Sequence, residues 1–393
     1  MSSLPLARAA ADKRQRWANT IGYYLIFIAI GSMAVSIGPT LPALARHTGS
    51  TLEQISLLFT ARAIGGLTGS FLLGRLYDRL PAHTLMLFFL SLIVICAILV
   101  PVIPVLWLLV LVMLIQGMAE GTMHVGCNTL IVWVHGANVG PFMNGMHFFF
   151  GLGAVISPII VAQVMSHTGD VLWAYWILAL LFLPTIINLR RLPSPAPPVS
   201  TDDTTSKSTN RFLVGLVALF LFLYVGLEIS FNGWIFTYAI TLKLGTETSA
   251  AYLNSAFWAA MMAGRLLAIP LARSFRPSRI LLANLSGIIL SAVLLLAGTH
   301  SITAVWAGAV GMGLAMASTF PMTIAMAQHR LTITGRTTSL FLVGASLGGM
   351  TLPWLVGQLF VPVGPHILPL LIFGGMVVNL GVLSALIKFS NKK

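Results

Sequence analysis

Charge is the first thing this sequence lacks. Of its 393 residues only 8% are Asp, Glu, Lys or Arg, against about 25% in an ordinary soluble domain. A water-facing surface cannot be built from so few, which excludes a soluble globular protein. Cysteine is nearly absent as well. Cys96 and Cys127 are the two in the chain, and both fall in apolar stretches, so a disulfide framework, a C-x-x-C redox pair and structural zinc are all excluded. Acids number nine against 22 Lys and Arg. The resulting charge of +13 would suit nucleic acid only as a basic face on a soluble domain. Here most Lys and Arg sit at the ends of apolar runs, so they report topology, and no nucleic-acid partner, metal or cofactor is expected.

What is abundant is apolar length: 57% of the chain is hydrophobic, and a bilayer core of about 30 Å takes about 20 apolar residues per helix. Residues 1–16 are polar, with Arg8, Lys13, Arg14 and Arg16, and the run that follows is too long for a cleavable signal peptide. Apolar length and Gly, Pro and charge punctuation predict crossings at 17–44, 52–76, 82–101, 104–132, 141–167, 170–188, 212–241, 248–272, 278–297, 301–328, 334–360 and 364–388. A Pro-, Ser- and Thr-rich stretch at 190–211 has the composition of a flexible linker. The expectation is an all-α membrane protein: a tail (1–16), a six-helix bundle (17–189), a linker (190–211), a second six-helix bundle (212–388) and a short tail (389–393). With the N-terminus in the cytoplasm, 18 Lys and Arg fall in cytoplasmic segments and two, Arg46 and Lys243, on the other side. The positive-inside rule therefore puts both termini in the cytoplasm.

Twelve helices arranged six plus six around a cytoplasmic linker resemble the major facilitator superfamily, and the resemblance implies alternating access around a site near the midplane. Between the second and third crossings, Gly74-Arg75-Leu76-Tyr77-Asp78-Arg79 is similar to that superfamily's loop motif. Gly74, Asp78 and Arg79 match it, Pro81 and His83 depart from it, and the motif implies a charge latch in gating. A closer resemblance, to the sodium-dependent glucose transporter branch and its bacterial sugar-transporting relatives, and more distantly the fucose-proton symporters, rests on longer stretches. These are SIGPTLPALARHTG (36–49), FTARAIGGLTGS (59–70), GCNTLIVWVHG (126–136), PFMNGMHFFFGLGAVISP (141–158), YVGLEISFNGWIFTYA (224–239), FWAAMMAGRLLAIPL (257–271) and FLVGASLGGMTLPWLVGQL (341–359).

Ionisable groups at membrane depth cost a few kcal/mol each and mark functional sites. Arg62, Glu120, Glu228 and Arg265 are the charged ones here, and two of each sign allow pairing, with the partners open. Gln116, Glu120, His124 and Asn128 recur every four residues, one polar stripe on a helix. A titratable acid one turn from an imidazole invites cation binding, so Glu120 and His124 are the candidate coupling pair. In the resembling families an acid four residues before the Asn carries that coupling, and here the position is His124. Sodium wants several oxygen ligands, so the departure favours a proton over sodium. Tyr224, Glu228 and Asn232 repeat the spacing in the seventh crossing, followed by Trp234. Acids, amides and an aromatic ring suit sugar hydroxyls and the apolar sugar face, and Asn128, Asn144, Asn254 and Trp258 extend that set. The fucose-symporter resemblance implies that His147 lies at the cavity wall.

These residues point to a monomeric transporter in a bacterial inner membrane that imports a hexose or related sugar together with a proton, or less readily a sodium ion. An exporter of amphipathic compounds driven by proton antiport is the rival. An enzyme would need a further ligand or reactive group beside Glu120 and His124 that the spacing does not supply.

Overall fold

The computed structural model describes residues 3–73, 76–77, 79–170, 173–195, 211–328 and 335–391. Twelve helical spans are long and apolar enough to cross a membrane: Lys13–Ala34, Leu52–Leu73, Ala82–Leu99, Leu106–His135, Gly140–Thr168, Trp173–Arg190, Arg211–Thr241, Glu247–Ser274, Pro277–Ala297, Ile302–Gln328, Leu340–Val363 and Ile367–Lys388. Most of the expected linker and the loop-motif residues Gly74 and Asp78 lie outside the described residues, whereas Arg79 is described and exposed. The first helix begins at Ser3, in a stretch of Ala, Arg and Lys that favours helix and whose one proline falls in the first turn, where it is tolerated.

Three crossings are interrupted where the chain's prolines require it. A proline has no N–H to donate to the carbonyl four residues back, and its ring collides with that carbonyl. Pro39 denies a partner to Val35, and the first crossing breaks between Ala34 and Ile37, a second helical piece running Ile37–His47. Pro184 denies one to Leu180, and the sixth crossing splits into Trp173–Leu180 and Phe182–Arg190. Pro321 does the same to Ala317, splitting the tenth into Ile302–Met316 and Thr319–Gln328. Pro158, Pro270 and Pro353 are carried inside unbroken helices. The second crossing is also segmented. A capping box at Thr51 and Gln54 starts Leu52–Ile55, Leu57–Thr68 follows, and the helix closes on a π turn at Gly69–Leu73.

Crossings one to six pack as one half and seven to twelve as the other, and the two halves meet along a seam. On one flank, between the second and eleventh crossings, Gln358 donates to the Glu53 carbonyl (3.1 Å) and Thr60 to the Met350 carbonyl (3.0 Å). On the other flank, between the fifth and eighth, Gln163 donates to the Tyr252 hydroxyl and Ser255 to the Val155 carbonyl (3.1 Å). These contacts lie from mid-depth to the end of the bundle remote from the chain termini.

Followed toward the terminus-bearing end, the same helix faces come apart. A stripe that packs through Gln163, Val155 and Gly151 continues, at helical spacing, through Phe148, His147 and Asn144, and all three of these are exposed. Its partner stripe through Tyr252, Ser255 and Met262 continues through Leu266 and Ile269, each 55% exposed. Ile64 and Leu347 are exposed on the opposite flank. The halves are therefore closed at the far end and parted at the terminus-bearing end. Cys96 and Cys127 are both buried and give little background to added thiols. Cysteines introduced as Val155→Cys with Ser255→Cys are expected to join under mild oxidant, and those introduced as Asn144→Cys with Ile269→Cys to stay apart. Equal joining at both depths would contradict the splayed seam.

Candidate functional site

A polar contact at membrane depth links three crossings. Arg62, in the second, donates from Nε (2.9 Å) and Nη2 (2.6 Å) to Oε2 of Glu120 in the fourth. Its Nη1 donates to the carbonyl of Ala34 (2.7 Å), the last residue before the break in the first crossing. A carbonyl in the last turn of a helix has no donor within the helix, so Arg62 satisfies a group that the Pro39 break leaves open. Gln116 donates to the other carboxylate oxygen of Glu120 (3.0 Å). The backbones come close enough for this because the facing positions are glycine. A Cβ at Gly117 would overlap the Arg62 backbone carbonyl, and one at Gly121 would overlap that of Gly66.

This geometry bears on two sequence-based expectations. Glu120, expected to take up the coupling cation, has both oxygens hydrogen-bonded, one to Arg62 and the other to Gln116. Arg62 and Arg265 were both expected to pair with acids, but among the described residues Arg265 forms no ion pair with Glu228. Its Nη2 approaches the Met261 sulfur at 3.6 Å.

A second constellation lies at the depth where the seam begins to part. From the first half, the Phe27 ring meets His124 edge-on (centroids 5.2 Å apart) and His147 (5.6 Å), and Phe150 packs on His124 (5.5 Å). Phe150 also reaches Trp258 of the second half, 6.4 Å away. Trp258 donates its indole N–H to Asn232 Oδ1 (2.7 Å), and Asn254 donates to the Asn232 backbone carbonyl (2.9 Å). Glu228 lies one turn before Asn232, and Tyr224 one turn before that, its hydroxyl donating to the Met316 carbonyl (2.7 Å). His124, His147, Trp258 and Asn232 thus belong to one neighbourhood, linked through Phe27 and Phe150.

Four other candidates are placed differently. Asn128 donates back to the His124 carbonyl of its own helix (2.8 Å). Asn144 is exposed toward the open end. Asn254 is fully buried, with its Oδ1 unpartnered. Trp234, expected to offer its ring to a sugar, is fully buried in this conformation. It donates to the Pro353 carbonyl (2.9 Å), stacks on Phe360 (5.0 Å) and lies 6.2 Å from Phe59 across the seam, so it packs the closed far end. Phe27 and Phe150 were not singled out from sequence, since nothing separates them from the other apolar residues of their crossings.

The ion pair makes a specific prediction. Removing one partner, by Glu120→Ala or Arg62→Ala, leaves a buried charge uncompensated and is expected to cost about 3–5 kcal/mol. Replacing both, as Arg62→Met with Glu120→Met, is expected to cost less than either. Thermal unfolding in detergent measures this, and a double variant as unstable as the sum of the singles would refute the coupling.

Comparison with known proteins agrees with this architecture. The family model described as Major Facilitator Superfamily matches residues 23–353. Sodium-dependent glucose transporter 1 of Xenopus laevis is 32% identical over 358 residues, covering 83% of this chain and 73% of the relative. Among solved structures, a variant of the nucleoside transporter NupG superposes with a TM-score of 0.78 at 16% identity, covering 95% of this chain and 99% of that one. The D-xylose-proton symporter superposes with a TM-score of 0.74 at 13% identity, covering 94% and 97%. At such identities these likenesses speak for the fold alone. The broken helices, the two halves meeting on a seam and the family match together establish that this chain belongs to the major facilitator superfamily, as a multi-pass membrane transporter rather than an enzyme.

Proposed function

We propose that the chain imports a hexose or a related sugar by alternating access, coupled to a proton. The observation that carries this reading is the group of polar side chains at the depth where the halves part. Asn232, Trp258, His147 and Glu228 supply planar donors and acceptors beside an indole, the combination that fits hydroxyl pairs and an apolar sugar face. An apolar drug pocket would hold few such groups. The Xenopus laevis relative is named for glucose, which supports the same substrate class.

A proton is favoured over sodium on donor chemistry. Sodium needs several oxygens converging on one point, and the stripe that the family resemblance marks for coupling has an imidazole at His124 and a carboxylate already committed to Arg62. The sodium in the relative's name therefore does not carry over with the sugar. Proton uptake falls to the ionisable groups at the parting of the seam: His124, His147 and Glu228.

The distribution of Lys and Arg supports cytoplasmic termini, in a bacterial inner membrane. With that orientation the splayed end faces the cytoplasm, and this is the conformation that releases sugar inward. Trp234, Phe59 and Phe360 then form the closed outer side, and the chain works as a monomer.

Uptake of labelled glucose into proteoliposomes under an inward proton gradient, an inward sodium gradient or neither tests the reading. Stimulation by protons alone is expected, and stimulation by sodium alone would overturn it. Asn232→Ala removes a bond worth about 1 kcal/mol and is expected to raise the half-saturating glucose concentration several-fold. An unchanged value would remove Asn232 from the sugar site.

A further inference from the structure

We propose that the chain holds an anionic phospholipid in a cleft between its first and sixth crossings, at the end of the bundle that carries the chain termini. The proposal concerns the outer surface of the first half and stands apart from the transport reading above.

The cleft comes from one stripe of the sixth crossing and one small residue of the first. Pro184 splits the sixth crossing, and the piece that carries it, Phe182–Arg190, ends at the cap residue Arg191. Pro184, Ile187, Asn188 and Arg191 are spaced i, i+3, i+4 and i+7, which puts them on one face of that piece. Opposite them on the first crossing is Ala18, whose methyl group leaves space that a longer side chain would fill. A cleft of about 450 Å³ results, with Leu192 completing its lining, and small-molecule sites run from about 300 to 1,000 Å³. Its wall at Leu192 is held in place. The Leu192 carbonyl accepts from His83 Nδ1 (3.0 Å), and the other ring nitrogen of His83 is hydrogen-bonded with the Tyr23 hydroxyl of the first crossing (2.9 Å).

The order of the lining residues along the helix points to the occupant. Pro184 and Ile187 are apolar and lie deeper in the membrane, whereas Asn188 and Arg191 lie at the end of the crossing. The stripe is about 10 Å long at 1.5 Å per residue. Ile21 and Leu183, both exposed, continue its apolar part toward the middle of the bilayer. A ligand that matches is apolar at its deep end and anionic at its outer end, which describes a phospholipid standing among its neighbours. A free phosphate would leave the apolar part of the cleft without a partner.

Charge and hydrogen bonding select the headgroup. Arg191 is exposed, and the ion pair of the described residues is Arg62 with Glu120, so Arg191 has no acid on it there. Arg16 and Arg190, also exposed, add positive charge at the same end. The Asn188 Oδ1 is turned inward, buried and unpartnered, where a Cβ at Gly22 would lie 3.4 Å from it. The amide nitrogen is then the end left for the cleft. Arg191 and Asn188 thus offer donors side by side, and the oxygens of a phosphodiester are acceptors that carry the matching charge. A lipid held this way touches both crossings beside the residue where the sixth leads into the linker, and so braces the first half from outside.

The test uses the purified full chain in detergent. Thermal unfolding is followed as phosphatidylglycerol, phosphatidylcholine or inorganic phosphate is added, and native mass spectrometry counts the lipids retained. Phosphatidylglycerol is expected to raise the unfolding temperature saturably, and the other two are not. Arg191→Gln is expected to raise the half-saturating phosphatidylglycerol concentration about five-fold, the worth of one basic side chain at an anionic lipid surface. Arg190→Gln makes the same change in net charge off the lining face and is expected to leave that concentration nearly unchanged. Ala18→Leu fills the cleft without touching a charge and is expected to lose the retained lipid. Should Ala18→Leu fail to fold, the two arginine variants decide. Equal weakening by both arginine variants would mean a diffuse basic surface and overturn the proposal, as would lipid retained by folded Ala18→Leu. Equal stabilisation by phosphatidylcholine or by phosphate would overturn the anionic lipid as occupant.

Discussion

The Arg62 guanidinium is the contact on which the first half depends, because it meets two demands that the sequence creates separately. Pro39 forces the first crossing to break after Ala34, and a break at membrane depth leaves a carbonyl that lipid cannot satisfy. Glu120 is an acid at the same depth, and it too must be neutralised. One planar cation answers both, with Nη1 on the Ala34 carbonyl and Nε and Nη2 on Glu120. A lysine would offer a point charge instead of the fork, and it could not serve two partners in fixed directions. The glycines at 117 and 121 follow from this constraint. They let the fourth crossing approach the second closely enough for the pair to form.

The broken crossing then sets the shape of the seam. The piece Ile37–His47 runs on beyond the break and packs against the seventh crossing, where Gly38 meets the Asn232 backbone and the Asn254 amide. Its Thr40 bonds to the Tyr175 hydroxyl of the sixth crossing (2.8 Å). A tie made inside the first half therefore fixes the element that closes against the second. Asn232 serves both sides of this boundary, since its backbone carbonyl accepts from Asn254 in the closed region and its side chain accepts from Trp258 beside the open one.

Much of this was legible in the residues. Apolar length and the Pro, Gly and charge punctuation located twelve crossings, most of them to within a few residues, although the first ends at Ala34 rather than near 44, and the four-residue spacing set Gln116 against Glu120. Spacing along one helix says nothing of which helix lies opposite. The partner of Arg62 was therefore open until the fold placed Glu120 against it, and Arg265, with the same chemistry, turned out to have no acid within salt-bridge distance among the described residues. Trp234 misled for a related reason. An indole after an acid and an amide on one helix reads as a sugar platform, but its depth puts it against Phe360 and Phe59, where the halves are closed. The breaks were legible in principle, since each lies three or four residues before Pro39, Pro184 or Pro321. Pro158, Pro270 and Pro353 show that a proline alone does not decide the matter.

The two buried acids divide the labour by the state of their neighbours. Glu120 is locked: three donors converge on its two oxygens, and a proton arriving there would have to displace a guanidinium already bound to the Ala34 carbonyl. Glu228 is held differently: among the described residues it forms no ion pair, and the Tyr224 hydroxyl one turn before it donates to the Met316 carbonyl of the tenth crossing. The first half's acid is closed on a guanidinium that also holds a broken helix in place, while the second half's acid lacks such a tie and lies on the helix whose Asn232 accepts from Trp258 beside the parted seam.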